Sequence, residues 1–375
     1  MSELGLGRVE RRALGVALPG AVAAVALGFA DRTAFFHGYL AAYELWLGVP
    51  LGCAGLLMLH HLTGGRWGWS IRPGVEAGIG TLPLLALGFV PILFGLGSLY
   101  EWTDESLVRS DPALSHKAPY LNTPFFIIRA AAFFAIWGLF AFLLGSGSTR
   151  RKGGPGRALR RLSAAGLVVW FVTISFAVVD WFGSLEPKWY SSVYGLYLIV
   201  GQALTALAVV ILLLCAAIRG SPREQAPGRV TLNDLGNLLL VFVVLHAYLA
   251  YSQFFISWNG NKPHEISFYL DRWHGAWAWM ALVLLLFHFA LPFFALLFRS
   301  VKQNVNTLMG VAALILCARV LDAGWTVLPS GPPWNLLTIL AGLAATAGIG
   351  GLCVAVLARR AKGRPLLAPA PEEDS

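Results

Sequence analysis

The chain has 375 residues, of which 57% are hydrophobic and only 13% are charged, and its mean hydropathy is +0.67. Soluble globular domains carry about 25% charged residues, so this composition excludes that class. The net charge of +9 is compatible with nucleic-acid binding. However, no basic domain lies outside the apolar runs, so we expect an integral membrane protein that binds no nucleic acid.

Successive apolar runs of roughly 20 residues have the length of a membrane-crossing helix. They predict an all-α protein with about ten transmembrane helices, in a polytopic domain over residues 1–365. The first run follows Arg11 and Arg12 as a signal peptide would, but it has the length of a full span and lacks a small-residue cleavage site. We therefore expect it to be retained. The predicted spans are 13–30, 35–61, 73–98, 124–145, 160–183, 191–218, 231–257, 273–298, 303–328 and 334–358.

The segments outside the predicted spans are short. The longest, Leu99–Thr123, is too small for a separate catalytic domain, so any chemistry in solution must come from partner chains. The tail 366–375 is Pro-rich and then acidic, and we expect it to be disordered. Aromatic residues near the span ends predict an interfacial belt. Its members are Tyr100, Trp102, Tyr120, Trp181, Trp189, Tyr190, Trp258 and Trp334.

Prolines at positions 19, 50, 83, 91 and 292 fall within the predicted spans. In a helix bundle they are tolerated, because neighbouring groups can bond the backbone atoms that proline leaves free. The four cysteines are at positions 53, 215, 317 and 353, all inside apolar runs and without a CxxC or CxxCH motif. The sequence thus shows no motif for a metal ion, an iron–sulfur cluster or covalent haem, and predicts buried, hydrophobic cysteines.

Ionisable residues inside a membrane are costly and are candidates for function. Arg319 and Asp322 are three residues apart, so they share a helix face and can pair. This pair is either a structural ion pair or part of a proton relay. Asp180 lies near a helix end, where it either reaches the interface or forms the mouth of a proton path. Glu44 lies nearer the middle, between Tyr43 and Trp46, and is harder to explain as an interfacial residue.

Two further acids, Glu76 and Asp234, lie near predicted helix starts. Interaction with the helix N-terminus is their expected role.

His246 and His288 lie on adjacent antiparallel spans, each about 15 residues from a span end, so their predicted depths differ by only several Å. Two histidines at one depth could ligate a b-type haem. Without a second such pair, hydrogen-bonded or proton-relaying histidines are the favoured interpretation.

Five stretches of the sequence resemble one family. They are FHGYLAAYELWLGVPLGCAGLLMLHHLTGGRWG (36–68), KAPYLNTPFFIIRAAAFFAIW (117–137), FAVVDWFGSLEPKWYSSVYG (176–195), YSQFFISWNGNKPHE with YLDRWHGAW (251–277), and HFALPFFALLFRSVKQN (288–304) together with CARVLDAGWTVLP (317–329). In these stretches the chain resembles the ActF membrane subunits of bacterial alternative complex III. Those subunits belong to the wider NrfD and polysulfide-reductase-anchor-like family, and the resemblance covers nearly the whole chain.

The resemblance implies a respiratory quinol:electron-acceptor oxidoreductase in the bacterial inner membrane. This subunit would support quinol oxidation and conduct protons without being catalytic alone. Implied partners are the sister subunit ActC, an iron–sulfur subunit, and multihaem and monohaem cytochrome c subunits, which would hold the clusters and haems. The ligand of this subunit would be a quinone or quinol. The implied fold has two four-helix bundles, 34–183 and 191–328, with a peripheral helix at each end.

Two sets of candidate residues follow. The proton-path candidates are Glu44, Asp180, His246, His288, Arg319 and Asp322. The quinone-adjacent candidates are His37, Arg129, Asp180 and Trp181; here Trp181 follows Asp180 directly, and Phe35 and Phe36 precede His37.

Three other functions stay open. The chain could be a purely structural anchor for redox subunits, a secondary transporter, or a b-haem-binding subunit. A transporter is disfavoured, because no Gly/Pro-broken helices recur at matching positions in two halves. No soluble catalytic domain is expected in any of these cases.

The distribution of basic residues predicts the orientation, because short cytoplasmic loops are enriched in Lys and Arg. With the N-terminus inside, most of the 28 basic residues fall on the cytoplasmic side. The loop after the fourth span, together with the start of the fifth, holds six, with no acid: Arg150, Arg151, Lys152, Arg157, Arg160 and Arg161. The segment 99–123, on the opposite side, holds four acids and two bases.

Both termini are therefore expected in the cytoplasm. Green fluorescent protein fused after Lys362 should fluoresce, whereas alkaline phosphatase at the same position should be inactive. The same reporters inserted after Ser110, in the segment 99–123, should give the reverse result. Active phosphatase at Lys362 would contradict the predicted orientation.

Overall fold

The computed structural model describes residues 3–148, 156–221, 227–331, 335–363 and 366–367. These residues form helices and turns with no strand among them. Ten helical segments within them are long and apolar enough to cross a membrane. The prediction of an all-α integral membrane protein with about ten spans is confirmed. Trp334 and residues 368–375, for which an interfacial position and disorder were predicted, lie outside the described residues.

Eight of the ten spans are each built on one long helix. These helices are α1 (Glu3–Ala30), α2 (Arg32–Thr63), α9 (Thr123–Ser148), α10 (Arg157–Trp181), α11 (Tyr194–Arg219), α12 (Arg229–Gly260), α17 (Val305–Val327) and α18 (Leu336–Ala361). The intervening numbers belong to shorter helices.

The third span is interrupted. It consists of α3 (Arg66–Ile79), α4 (Leu82–Gly88) and α5 (Val90–Phe94). Pro83 and Pro91 lie in the first turns of α4 and α5. Proline fits a first turn because the backbone N–H that it lacks would have no helical partner there. These two prolines therefore begin new helical segments instead of lying inside one continuous helix.

The eighth span is also interrupted, and here the break carries a candidate residue. Helix α14 (Gly275–Leu284) continues into a π-helical segment, Leu285–Ala290, and then into α15 (Leu291–Leu297). Pro292 has no backbone N–H to donate to the carbonyl of residue 288, so the regular α-helical bonding cannot continue through this position. His288 lies within the π-helical segment. Such segments are frequent at functional sites.

Helices α2 and α11 form the centre of the molecule. Their most apolar 18-residue windows are each 83% buried, whereas that of α1 is 17% buried. Helix α2 contacts α1, α3, α10, α11, α17 and α18. A helix that is apolar on all sides belongs in such a central position, and both helices are almost free of charged residues except for Glu44 in α2.

Small residues allow α2 and α11 to approach closely. A Cβ atom added at Gly52 of α2 would lie 2.2 Å from the Gln202 carbonyl oxygen and 2.7 Å from the Ala206 Cβ of α11. Close helix contacts in membranes depend on such small residues. The position of Glu44, two turns before Gly52, is fixed by this contact.

The two terminal helices pack against each other. A Cβ atom at Gly20 of α1 would lie 2.6 Å from the Gly348 backbone nitrogen of α18, so the backbones touch. An ion pair between Glu10 and Lys362 joins the same two elements. The expected peripheral helices thus form one helical pair, which contacts the centre through α2.

The longer connections gather at one end of the molecule, which we call the loop-rich end. It contains the segment after the third span, with α6 (Leu96–Leu99), a 3₁₀ turn (Glu101–Thr103), α7 (Glu105–Ser110) and α8 (Pro112–Lys117). It also contains residues 182–193 and α13 (Pro263–Leu270). The Lys117 Nζ donates to the Pro187 carbonyl at 2.5 Å, and the Trp189 Nε1 donates to the Glu265 carbonyl at 3.1 Å. A short helix at the opposite end, α16 (Arg299–Gln303), connects α15 to α17.

The contact at Gly52 gives a stability prediction. Gly52→Ala should lower the unfolding temperature in detergent, because overpacking a close contact costs about 1–3 kcal/mol. Gly138→Ala is the matched control, since Gly138 is also inside a spanning helix and an added Cβ there meets nothing within 4 Å. Equal unfolding temperatures for the two variants, measured by intrinsic fluorescence, would contradict the close contact.

Candidate functional site

A buried guanidinium group lies at the centre of the bundle. Arg319 of α17 has no exposed surface. Its Nη2 donates to Glu44 Oε1 of α2 at 2.9 Å, its Nε donates to Thr205 Oγ1 of α11 at 3.1 Å, and its Nη1 bonds Asp322 Oδ2. One side chain thereby joins three spans. The absence of a side chain at Gly201 makes room for it, since a Cβ there would lie 2.9 Å from the guanidinium.

Asp322 and His246 extend this network to α12 and to the eighth span. The Asp322 Oδ1 accepts a hydrogen bond from the Tyr197 hydroxyl, and its Oδ2 lies 3.3 Å from His246 Nε2. The His246 ring stacks on Tyr197 with 4.5 Å between centroids, and the centroid of the His288 ring lies 4.8 Å from that of His246. We call this group the central cluster: Glu44, Tyr197, Thr205, His246, His288, Arg319 and Asp322.

The central cluster is deep in the bundle. At about 1.5 Å per residue, Glu44 lies roughly 18 Å along α2 from Arg32, where the helix begins. Charges at such depth are costly unless they are paired. The cluster contains two carboxyl groups and one guanidinium, so with both carboxyls ionised and both histidines neutral it carries one excess negative charge. A proton on a carboxylate or a histidine would balance it.

Three polar atoms of the central cluster lack a hydrogen-bond partner among the described residues. They are Glu44 Oε2, His246 Nδ1 and His288 Nε2, all buried. Buried polar atoms are nearly always bonded to protein or to ordered water, because an unsatisfied one costs about 1–3 kcal/mol. Glu44 and His288 stand at the two ends of the series of contacts, and their unpaired atoms are positions where the cluster can exchange a proton with a further group.

A second buried ion pair lies nearer the loop-rich end. The Arg129 Nε of α9 donates to Asp180 Oδ2 of α10 at 2.6 Å, and its Nη1 donates to the Tyr120 carbonyl at 2.8 Å. The guanidinium lies 3.9 Å from the centroid of the Tyr120 ring and 4.3 Å from that of Phe125. We call Tyr120, Phe125, Arg129, Asp180 and Trp181 the Arg129 cluster.

The Tyr120 phenol borders this ion pair from outside the spans. Burial and the neighbouring Asp180 carboxylate raise the pKa of Tyr120 above its usual range, so the hydroxyl keeps its proton at neutral pH. The Arg129 cluster can therefore offer phenol and guanidinium donors beside one carboxylate.

Aromatic rings enclose Trp181 completely. Its indole is 1% exposed and packs against Phe89, Phe134 and Trp137, with centroid distances of 4.5, 5.7 and 5.8 Å. Its carbonyl accepts a hydrogen bond from Tyr100 at 2.9 Å. The buried donors of the cluster that have no partner within the described part of the chain include Arg129 Nη2 and Trp181 Nε1.

The candidates from the sequence thus fall into three places. Glu44, His246, His288, Arg319 and Asp322 lie together, including the pair predicted from the spacing of Arg319 and Asp322. Arg129, Asp180 and Trp181 lie together in the second cluster. His37 joins neither: its Nδ1 donates to the Thr33 carbonyl at 2.9 Å, and its ring lies against Gly331.

Sequence reasoning missed Tyr197, Thr205 and Tyr120, because hydroxyl residues in helices and loops give no distinctive signal. It also missed Arg272, which is 2% exposed. Arg272 bonds Glu186 and the carbonyls of Phe268 and Thr326, and so ties three loop-end segments together.

Several predictions for single residues are wrong. Helix α3 begins at Arg66, so Glu76 is near its end, and it accepts a bond from Arg72 at 2.9 Å instead of meeting a helix start. Cys317 is exposed on the bundle surface rather than buried. Four of the expected interfacial aromatics are buried in protein contacts: Tyr100, Trp102, Trp181 and Trp189.

The His246 and His288 rings lie closer together than two axial ligands of one haem iron would. Ligands on opposite faces of one metal, each with a bond of about 2.0–2.1 Å, would place the ring centroids roughly 6 Å apart. The observed distance is 4.8 Å. One ligand atom each from His246, His288 and Asp322 lie within 4.8 Å of one another, a grouping that the sequence could not indicate because three helices supply it.

No protein-family model matches the sequence, and no curated protein matches it significantly.

The central cluster gives a second stability prediction. Arg319→Met should destabilise the protein by about 3–5 kcal/mol, because Glu44 and Asp322 would lose their shared counter-charge in a low-dielectric site. The matched control is Arg109→Met, which removes an arginine whose ion pair with Glu105 is exposed. It should unfold like the parent. Chemical unfolding in detergent measures both, and equal stability of the two variants would contradict the buried-charge argument.

Proposed function

We propose that this chain is an integral membrane subunit of a respiratory quinol:electron-acceptor oxidoreductase of the alternative complex III type. In that role it supports quinol oxidation and conducts protons. Two independent features support the proposal: the five family-like stretches of sequence, and the central cluster of ionisable residues. The central cluster is the observation that carries the proton-conducting part.

Redox centres would be supplied by other subunits. The chain has no motif for an iron–sulfur cluster or covalent haem. The partners that the resemblance implies, ActC, an iron–sulfur subunit and cytochrome c subunits, would carry electrons along the outer face of the bacterial inner membrane. The concentration of basic residues in the other loops supports an outer-face position for the loop-rich end.

Proton transfer requires groups that exchange protons over short distances. From His288 through His246 and Asp322 to Arg319 and Glu44, each member contacts the next, and the whole group spans five helices. The histidines and carboxyls can take up and release protons, while the fixed charge of Arg319 holds the carboxylates in place. The unpaired atoms of Glu44 and His288 mark the proposed entry and exit.

The Arg129 cluster is the proposed neighbour of the quinol head group. A quinol hydroxyl needs an acceptor for its proton, and Asp180 provides a carboxylate at the end of the bundle proposed for the outer face. Arg129 Nη2 and Trp181 Nε1 are donors without partners in the described structure. Such donors suit the carbonyl oxygens of a quinone. The surrounding aromatic side chains are suited to packing against the apolar ring of a quinone.

A structural anchor is the second candidate, and the direct ion pairs favour it. Arg129 with Asp180, and Arg319 with Glu44, each link two spans. They would hold the bundle together in either function. The two functions can be distinguished by replacing a carboxylate with an amide, which removes the negative charge but keeps a similar shape and hydrogen-bonding capacity.

The variants Asp322→Asn and Asp180→Asn each replace a carboxylate with an amide. In the purified complex, we expect each to lower quinol-dependent acceptor reduction or proton release at least about tenfold, because a proton-accepting group is lost. Subunit composition, read from the co-purifying chains and their c-haem content, should be unchanged. Glu105→Gln is the control, since the Glu105 side chain is exposed at the same end.

Unchanged turnover and proton release in both Asp variants would contradict proton conduction. Loss of the partner subunits in the variants would instead favour the anchor. A chain that purifies without any haem-containing partner would contradict the proposed complex.

A further inference from the structure

We propose that His246, His288 and Asp322 form a binding site for a divalent transition-metal ion of the Zn²⁺ type. The proposal goes beyond the proton-conducting role and does not depend on the chain being a respiratory subunit. It concerns the three residues of the central cluster that carry potential metal-ligand atoms close to one another. The ligand set would be two imidazole nitrogens and one carboxylate oxygen.

The positions of the ligand atoms support this site. His246 Nε2 and Asp322 Oδ2 are 3.3 Å apart. Two ligands of one tetrahedral Zn²⁺, with bonds of about 2.0–2.1 Å, lie roughly 3.3 Å apart, so this pair already has the required separation. One atom from each of the three residues lies within 4.8 Å of the others. A rotation of the His288 ring that moves its ligand nitrogen by roughly 1.5 Å would bring all three ligand atoms to the separations of a tetrahedral site.

His288 provides the second, independent observation. Its side chain is 6% exposed, and its Nε2 has no hydrogen-bond partner among the described residues. The π-helical segment Leu285–Ala290 carries it next to His246 and Asp322. A buried imidazole nitrogen needs a donor, an acceptor or a metal. A site with two further ligand atoms beside it favours the metal.

The charges of the cluster are compatible with a cation. Glu44 and Asp322 together exceed the single charge of Arg319, so the empty site is net negative with neutral histidines. Arg319 is the opposing charge, because it also bonds Asp322 Oδ2. Arg319 also keeps Glu44 as a second partner at 2.9 Å. Because a carboxylate oxygen has two lone pairs, Asp322 Oδ2 can bond both the Arg319 guanidinium and a metal ion.

Two histidines and one carboxylate suit zinc and ferrous iron, and three protein ligands leave one position open. A bound ion would occupy the nitrogens that a proton relay needs. The metal-bound form would therefore be the form that does not conduct protons through these histidines.

Metal content tests the site directly. The full-length chain is purified with its accompanying subunits in buffer containing Zn²⁺, washed in metal-free buffer and measured by mass spectrometry of the metal. We expect about one more zinc ion per chain in the parent than in His288→Gln or His246→Gln. His37→Gln is the control, because His37 is equally buried and also has an unpaired Nε2 but lies outside the cluster. It should keep the parental zinc content.

The same zinc content in the parent and in both cluster variants would overturn the proposal, as would a loss of zinc in His37→Gln equal to theirs. Because this readout involves no quinol, its failure is distinct from failure of the proposed function.

A second measurement on the parent alone covers variants that fold poorly. Co²⁺ in place of Zn²⁺ should give a strong visible d–d absorption that added Zn²⁺ removes, because a four-coordinate site lacks a centre of symmetry. Absence of that absorption would overturn the proposal.

Discussion

The structure depends on one buried charge, the guanidinium of Arg319. A charge inside the apolar centre of a helix bundle must be paired, and here it is paired twice, with Glu44 and Asp322. Those partners lie on α2 and α17, and the hydroxyl of Thr205 on α11 completes the coordination. The three helices that pack most centrally are therefore fixed in rotation relative to one another by the directions of these bonds. Apolar packing alone would permit other rotations.

The same constraint brings the functional candidates together. Because Asp322 must face Arg319, its second oxygen faces Tyr197, and α12 and the π-helical segment place two imidazoles next to it. The Arg129 cluster repeats the arrangement on a smaller scale, with one arginine, one aspartate and aromatic walls. Two buried ion pairs thus divide the molecule into a deep cluster suited to proton transfer or a cation, and a shallower one suited to a polar ring.

Sequence reasoning was most successful where the physical signal is local. Hydropathy and length gave the ten spans, because a helix that crosses the membrane must be apolar over about 20 residues. The spacing of Arg319 and Asp322 gave their ion pair, because residues three apart share a helix face. It failed for Glu76, because the predicted span began at residue 73, whereas α3 begins earlier, at Arg66. It failed for Trp181 and Trp189, because an indole near a span end can face either lipid or protein.

The sequence by itself determined that the chain is an integral membrane protein, the number of its spans, and which ionisable residues lie inside them at a cost in free energy. Each of these follows from the free energy of transferring a segment or a side chain from water to hydrocarbon, which depends on composition alone. Only the tertiary structure decided which of those residues meet. Glu44 and Arg319 are 275 residues apart in the chain, and His246, His288 and Asp322 lie on three helices. Their contact depends on helix rotation and on the close approach at Gly52, which no local pattern encodes.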